Sequence, residues 1–70
     1  MEFASLVKQV RTELGLSQEQ LARELSISFS TVNRWENGKS KPSQMAKELF
    51  FAFCMSNNIN PKLYGKEGHE

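Results

Sequence analysis

The sequence predicts an all-α fold, a four- to five-helix bundle that contains a helix-turn-helix. Apolar residues recur at helical spacing in successive segments, and no segment shows the alternation typical of a β-strand. Capping and turn residues separate these segments at short intervals. With 70 residues the chain can form one domain around one core. We expect residues 1–58 to form it, followed by a short C-terminal turn and tail over 59–70.

The composition limits the classes of protein to consider. Hydrophobic residues make up 39% of the chain and charged residues 24%, which is ordinary for a globular protein. The single cysteine, Cys54, excludes an intramolecular disulfide. No apolar run approaches the roughly 20 residues that span a bilayer, and the N-terminus does not resemble a secretory signal. We therefore expect a cytoplasmic protein without a membrane partner.

The first helix is predicted over residues 3–14. It ends at Gly15, and Leu16 then carries an apolar side chain back towards the core. One helical face collects the apolar residues, namely Phe3, Leu6, Val7, Val10 and Leu14. This stripe predicts that one side of the helix packs on the rest of the domain.

The second helix is predicted from its N-terminal cap. Ser17 is followed three residues later by Gln20, the pattern of a capping box, and the apolar spacing continues to about Leu25. Only Ser26-Ile27 joins this helix to the next. Two short helices joined by so tight a turn predict a helix-turn-helix.

The third helix is predicted to lie between Ser28 and Gly38. The Ser28 hydroxyl can accept from a free amide of the first turn, and Gly38 adopts the left-handed conformation without a Cβ penalty. Val32 and Trp35 point to one side of this helix. The opposite side carries polar residues and one aromatic, namely Phe29, Ser30, Asn33, Arg34 and Asn37. An ordinary solvated face is one explanation of that side, and a binding surface is the other.

The fourth helix is predicted to start after Ser43, to run to about Ser56 and to end at Asn57-Asn58. Its core face is predicted to contain Met45, Leu49, Ala52 and Phe53. A second apolar group consists of Phe50, Phe51, Cys54 and Met55. One small core cannot use all of this apolar surface, so the second group is a candidate homodimer surface. The alternative is that the first helix, Leu63 and Tyr64 cover it, after a further turn that begins at Pro61.

Positive charge is concentrated on the third helix and the loop after it. Residues 28–47 have a net charge of +3 in a chain whose total is +1. The charged residues of this segment are Arg34, Lys39, Lys41 and Lys47 against Glu36 alone. Phosphates require such a local cluster of cations. The distribution of charge therefore favours a nucleic-acid partner.

These segments together resemble the phage-repressor and Cro-type helix-turn-helix family, also called the Xre type. The matching residues are Leu14-Gly-Leu-Ser-Gln-Glu-Gln-Leu-Ala22, Leu25, Ile27, Ser28, Val32 and Trp35-Glu-Asn-Gly-Lys-Ser-Lys-Pro42. The likeness covers residues 3 to about 55 and includes a whole series of spacings. It implies a lambda-repressor-like bundle that binds double-stranded DNA.

The resemblance also implies a role for each matching position. Gln18 would contact a phosphate and brace the third helix. The positions that reach base edges in the major groove are Phe29, Ser30, Asn33 and Arg34, and those that contact phosphates are Thr31, Asn37, Lys39 and Lys41. The chemistry agrees, because Arg can bind guanine O6 and N7, Asn can bind adenine N6 and N7, and Phe can lie on a thymine methyl group. Phe29 could equally be a boundary residue packed on the second helix, and Ser30 a helix-start residue without a partner.

Arg11 and Glu36 are predicted to form a structural ion pair. Each lies at the edge of an apolar stripe, and charges placed there need a partner. The family that the sequence resembles has a partly buried Arg–Glu bridge at these positions.

The chain departs from that family at two helix ends. The residue after Leu25 is usually Gly and is Ser26 here, which predicts a strained φ at a non-glycine residue. The Gly that usually closes the fourth helix is replaced within residues 54–56, so this helix is predicted to run longer. That region usually forms the dimer contact of the family, so this departure bears directly on the predicted homodimer.

No pattern predicts catalysis, a metal site, a cofactor or a small-molecule ligand. Residues 38–40 imitate the end of a P-loop, but Asn33 occupies the position of its first glycine and no strand precedes it. His69 has no second ligand nearby, and Cys54 lies on an apolar helix without a neighbouring histidine. We therefore expect a protein that is not an enzyme.

The predicted function is sequence-specific binding of double-stranded DNA through the major groove by a prokaryotic or phage transcriptional regulator. One alternative keeps DNA binding but makes the domain a targeting module beside a DNA methyltransferase in a restriction–modification system. The other is a protein-interaction module, such as an antitoxin whose apolar fourth helix grips a partner protein.

Overall fold

The computed structural model describes residues 2–38 and 41–61, which form four α-helices and no strand. The helices are α1 (Phe3–Glu13), α2 (Gln18–Leu25), α3 (Phe29–Asn37) and α4 (Gln44–Ser56). The all-α prediction is confirmed, and every helix lies close to its predicted bounds. The predicted positions of Leu63 and Tyr64 lie outside the described residues. None of the helices in the described part of the chain is long and apolar enough to cross a bilayer.

Serine side chains cap three of the helices, as their spacing predicted. Ser17 Oγ accepts from the Gln20 amide at 3.1 Å while Gln20 Oε1 accepts from the Ser17 amide at 2.8 Å. Ser28 Oγ and Ser43 Oγ each accept from the amide three residues later, at 3.2 and 3.1 Å. Such caps stabilise a helix by about 1 kcal/mol each. They define where α2, α3 and α4 begin.

Three helices end in the same hydrogen-bonded motif. A residue in the left-handed conformation follows each of α1, α2 and α4, with φ between 58° and 70°; these residues are Gly15, Ser26 and Asn58. The next amide donates to the carbonyl five residues earlier at 2.8 to 3.0 Å, which is the Schellman pattern. The residues that carry these amides, Leu16, Ile27 and Ile59, pack into or against the core. The positive φ predicted for Ser26 is confirmed, and Asn58 takes the left-handed position after α4.

The core draws side chains from all four helices. Its buried members are Leu6, Val7, Val10, Leu21, Ala22, Leu25, Val32, Trp35, Phe50, Cys54 and Ile59. An aromatic cluster joins α1, α3 and α4 within it. The Phe3 ring centroid lies 5.3 Å from that of Trp35 and 5.6 Å from that of Phe50, with nearly perpendicular ring planes. Edge-to-face pairs of this kind add about 0.5–1.5 kcal/mol beyond the burial of area.

α4 turns a different side to the core from the one predicted. Phe50 is fully buried, whereas Met45 is 78% exposed and Leu49 and Ala52 are exposed too. The prediction that Met45, Leu49 and Ala52 face the core was therefore wrong. Phe53 was correctly placed, since it packs against the buried cluster.

The candidate homodimer surface also needs correction. Phe50 and Cys54 are both fully buried, so neither can contribute to a surface. Phe51 and Met55 remain exposed, at 37% and 63%. The error arises because apolar residues fill every position of α4 from 49 to 55, so several rotations of the helix would bury an apolar face. Contact with Phe3 selects the rotation that buries Phe50.

Candidate nucleic-acid interface

α2 and α3 form the helix-turn-helix around a turn of three residues, Ser26 to Ser28. Ser26 turns the chain with a φ of 58°, and Ile27 packs against the core. Val32 and Trp35 are buried on the inner side of α3. Since both ends and the inner side are held, the outer side of α3 has a fixed direction.

The outer face of α3 presents the residues that the sequence assigned to it. Ser30, Arg34 and Asn37 are exposed, and Thr31 and Asn33 are half-buried. The Phe29 ring is 47% exposed, so α2 covers only part of it at most. A partly exposed aromatic ring beside polar side chains can meet both apolar and polar parts of a partner.

Two exposed cations lie on the same side of the molecule as this face. Arg34 and Lys41 both line an open groove of about 500 Å³ between α3 and α4, together with Thr31. Neither cation forms an ion pair with another described residue. Within the described ranges, both side chains are therefore available to an external anion. Lys39, which the sequence assigned to a phosphate contact, lies outside the described residues.

The predicted ion pair between Arg11 and Glu36 is present. Arg11 Nε donates to Glu36 Oε2 at 2.6 Å, and Arg11 Nη2 donates to Glu36 Oε1 at 3.0 Å. The remaining guanidinium nitrogen, Nη1, donates to the backbone carbonyl of Leu16 at 2.9 Å. Only 4% of the Glu36 side chain and 15% of the Arg11 side chain are exposed. This bidentate ion pair links α1 to the inner edge of α3.

Both members of the pair are held in their charged forms. Burial disfavours the Glu36 carboxylate, but the hydrogen bonds from Arg11 and Gln18 and the charges of Arg11 and Lys8 together lower its pKa below the ordinary 4.5. The hydrogen bond to Glu36 raises the pKa of Arg11 in spite of burial. At neutral pH the carboxylate is therefore an acceptor of hydrogen bonds only.

A row of amide side chains continues from Glu36 to the outer face of α3. Gln18 Nε2 donates to Glu36 Oε1 at 3.0 Å, and Asn33 Nδ2 donates to Gln18 Oε1 at 3.1 Å. Asn37 Nδ2 then donates to Asn33 Oδ1 at 3.0 Å. The resemblance implied that Gln18 braces the third helix, and its hydrogen bonds to Glu36 and Asn33 hold α2 to α3. The link between Asn33 and Asn37 was missed, although their spacing of four residues on a helix could have indicated it.

Cys54 has a structural position in the core. Burial raises the pKa of its thiol to about 11, so the thiol stays protonated near neutral pH. Among residues 2–38 and 41–61, no three His, Cys, Asp or Glu side chains come together as a metal site. His69 lies outside these ranges.

The tight turn between α2 and α3 and the polar outer face of α3 define a helix-turn-helix domain. The helix-turn-helix family matches this sequence over residues 7–46, more than half of its length, and the chain belongs to that family.

Similar sequences occur in a transcriptional activator and in a Type II methyltransferase. The chain is 37% identical over 67 residues to the HTH-type transcriptional activator BcrR of Enterococcus faecalis, a match that covers 96% of this chain and 32% of the activator. It is 33% identical over 55 residues to the Type II methyltransferase M1.ScrFI of Lactococcus lactis subsp. cremoris, which covers 74% of this chain and 14% of the methyltransferase. The chain thus spans less than two thirds of either relative. No solved structure matches it significantly.

Proposed function

We propose that this chain is a sequence-specific DNA-binding domain of a prokaryotic or phage transcriptional regulator, and that it places α3 in the major groove. The observation that carries the proposal is the outer face of α3, where exposed polar side chains and a half-exposed aromatic ring stand on a helix held on its inner side. A helix inserted into the major groove needs such a face. The similarity to a transcriptional activator supports a role in transcription.

The proposed contacts divide into base edges and phosphates. Base edges are read by Phe29, Ser30, Asn33 and Arg34, and phosphates are bound by Gln18, Thr31, Asn37, Lys39 and Lys41. Arg34 is the strongest candidate for specificity, because it is exposed and can bind guanine O6 and N7 together. Lys41 acts as a point charge on the backbone and supplies affinity without sequence preference.

Selection of bound sequences from random duplex DNA tests this proposal. The wild-type domain is expected to enrich one defined sequence, and Arg34→Ala is expected to lose the preference at one base pair of it. Arg23→Ala is the matched control, since Arg23 is also an exposed arginine but is not among the proposed contacts. Absence of any enriched sequence, or equal effects of the two substitutions, would refute the assignment of α3 as the reading helix.

A homodimer is the second part of the proposal. Phe51 and Met55 form an exposed apolar surface on one side of α4, and such surfaces often mark an interface. In a symmetric dimer two α3 helices would read a palindrome with half-sites about 34 Å apart. Phe51→Glu is then expected to give a folded monomer that binds a half-site weakly, as sedimentation and DNA titration can measure. A wild-type domain that stays monomeric at high concentration, both free and on palindromic DNA, excludes the dimer.

Two other functions remain in competition, each on one observation. The similarity to a Type II methyltransferase favours a targeting module in a restriction–modification system. The exposed apolar side chains of α4 favour an antitoxin-like module that binds a partner protein. The position of the selected DNA sequence relative to neighbouring genes distinguishes a targeting module from a transcriptional regulator. Weak DNA binding together with tight binding of a partner protein would identify an antitoxin-like module.

A further inference from the structure

The row of Gln18, Asn33 and Asn37, here called the amide row, leads from a buried charge to the proposed DNA surface. Burial decreases along it. The Glu36 side chain is only 4% exposed, Gln18 and Asn33 are half-buried, and Asn37 is exposed. The row therefore connects the inside of the domain to Asn33 on the outer face of α3.

The chemistry of Glu36 dictates the direction of every hydrogen bond in the row. The nitrogen and oxygen ends of an amide are similar in size, so its partners decide which end points where. A carboxylate only accepts, and Gln18 must therefore turn Nε2 towards Glu36 and Oε1 towards Asn33. Asn33 must in turn direct Nδ2 at Gln18, which leaves Oδ1 for Asn37.

We propose that the Glu36 carboxylate sets the orientation of the Asn33 amide and thereby the base preference at one position of the DNA site. The inference rests on the proposed function. After its two internal bonds Asn33 keeps one N–H and one acceptor site. A paired contact to adenine N7 and N6 needs one donor and one acceptor in a fixed order. Glu36, Gln18 and Asn37 are then positioning residues for Asn33.

The proposal predicts that one buried substitution reverses the whole row. In Glu36→Gln the new amide oxygen is expected to take the position of Oε2, where it keeps the shorter hydrogen bond from Arg11 Nε, at 2.6 Å. The new amide nitrogen then takes the position of Oε1 beside Gln18 and gives up the bond from Arg11 Nη2. Gln18 then turns its oxygen towards residue 36, and Asn33 must turn its oxygen towards Gln18. The donor and acceptor that Asn33 offers to DNA change places.

A second substitution is expected to restore the original direction. In the double variant Glu36→Gln with Gln18→Glu, the acceptor-only carboxylate has moved one place along the row. It accepts from the new amide at position 36 and from Asn33 Nδ2, so Asn33 regains its wild-type orientation. Total charge is the same as in the wild type. A role of Glu36 in stability alone would not be rescued in this way.

The orientation can be measured in the free protein. Nuclear Overhauser effects from the Asn33 side-chain NH2 protons are expected to lead to Gln18 in the wild type, to Asn37 in Glu36→Gln, and to residue 18 again in the double variant. If Glu36→Gln does not fold, Gln18→Leu interrupts the row and leaves the ion pair intact. The Asn33 NH2 protons should then show nuclear Overhauser effects both to residue 18 and to Asn37. An Asn33 amide that keeps its wild-type orientation in the interrupted or reversed row overturns the proposal.

DNA selection measures the consequence. Asn33→Ala identifies the base pair that Asn33 reads. Discrimination at that pair is expected to fall about 5- to 150-fold in Glu36→Gln and to return in the double variant, while the pair read by Arg34 keeps its preference throughout. An unchanged preference at the Asn33 pair in Glu36→Gln, with the amide turned over, overturns the link to base reading. If the wild type selects no sequence, the proposed function fails, but the resonance measurement still decides the orientation.

Discussion

α3 and α4 pack on the same core, but different interactions fix the rotation of each helix about its axis. α3 buries two apolar residues and has an ion pair and an amide row along its edge, so only one rotation satisfies its polar groups. α4 is apolar around most of its surface, and contacts between particular aromatic rings select its rotation. A helix with polar residues on one side can therefore be oriented from sequence, whereas a helix that is apolar on all sides cannot.

The largest expected effect comes from removing the ring that anchors α4. Phe50→Ala should lower the free energy of unfolding by about 3–5 kcal/mol, because the buried ring leaves a cavity between Phe3 and Trp35. Urea unfolding followed by circular dichroism measures the loss. Phe51→Ala is the matched control and should cost much less, since Phe51 is exposed. Equal losses would mean that α4 does not depend on one particular ring.

The ion pair provides the corresponding test for α3. Removing one partner of a fully buried pair costs about 3–5 kcal/mol, and Arg11→Met should cost less than this because Arg11 is partly exposed. Arg11→Met combined with Glu36→Leu should be more stable than Arg11→Met alone, since the double variant leaves no buried charge without a partner. A double-mutant cycle with a coupling energy below about 0.5 kcal/mol would show that the pair does not hold α3.

The pH dependence of stability reports on the same carboxylate. The pKa of Glu36 is lower in the folded state than its ordinary 4.5, so the unfolded state takes up the proton first as the pH falls. The contribution of Glu36 is thus present above about pH 4.5 and is lost as the pH falls through the folded pKa. Wild type should lose stability faster than Glu36→Gln below pH 4.5 in urea titrations. Parallel curves would argue against the pair.

The two proposed kinds of DNA contact differ in their effect on binding. Arg34→Ala should cost about 1–3 kcal/mol on the preferred sequence, whereas Lys41→Ala should weaken all sequences alike and reduce the salt slope by about one unit. Titrations of preferred and scrambled duplexes at several salt concentrations separate these outcomes. Should both variants lose affinity uniformly with the base preference intact, α3 would not be the reading helix.

The smallest expected effect concerns the turn between α2 and α3. Ser26→Gly should stabilise the fold by about 0.5–1 kcal/mol, because a left-handed conformation costs less for glycine than for serine. Ser5→Gly is the control and should have the opposite sign, since Ser5 lies inside α1, where glycine lowers helix stability. Thermal unfolding measures both. Destabilisation by Ser26→Gly would mean that the serine side chain has a role in the turn.

The sequence predicted what depends on neighbouring residues and missed what depends on distant ones. Caps such as Ser17 with Gln20 are local patterns, and the ion pair of Arg11 with Glu36 followed from stripe edges and a family resemblance. The rotation of α4 depends on the Phe3 ring, 47 positions before Phe50 in the sequence. The contact of Gln18 with Asn33 likewise forms only after α2 and α3 have packed. Asn58 could have been either a helical residue or a left-handed one until Ile59 was placed in the core.

The end of α3 has a consequence for the chemical lifetime of the protein. Asn37-Gly38 is a pair that deamidates readily in unfolded chains, where the glycine nitrogen can attack the asparagine side-chain carbonyl carbon. In the folded domain the Gly38 amide donates to the Trp35 carbonyl at 3.2 Å, and Asn37 Nδ2 is engaged with Asn33. Cyclisation to the succinimide requires the glycine nitrogen to leave that position. Folding therefore protects α3 from gaining a negative charge beside the surface proposed to meet phosphates, and ageing of this surface should follow the fraction of unfolded chains.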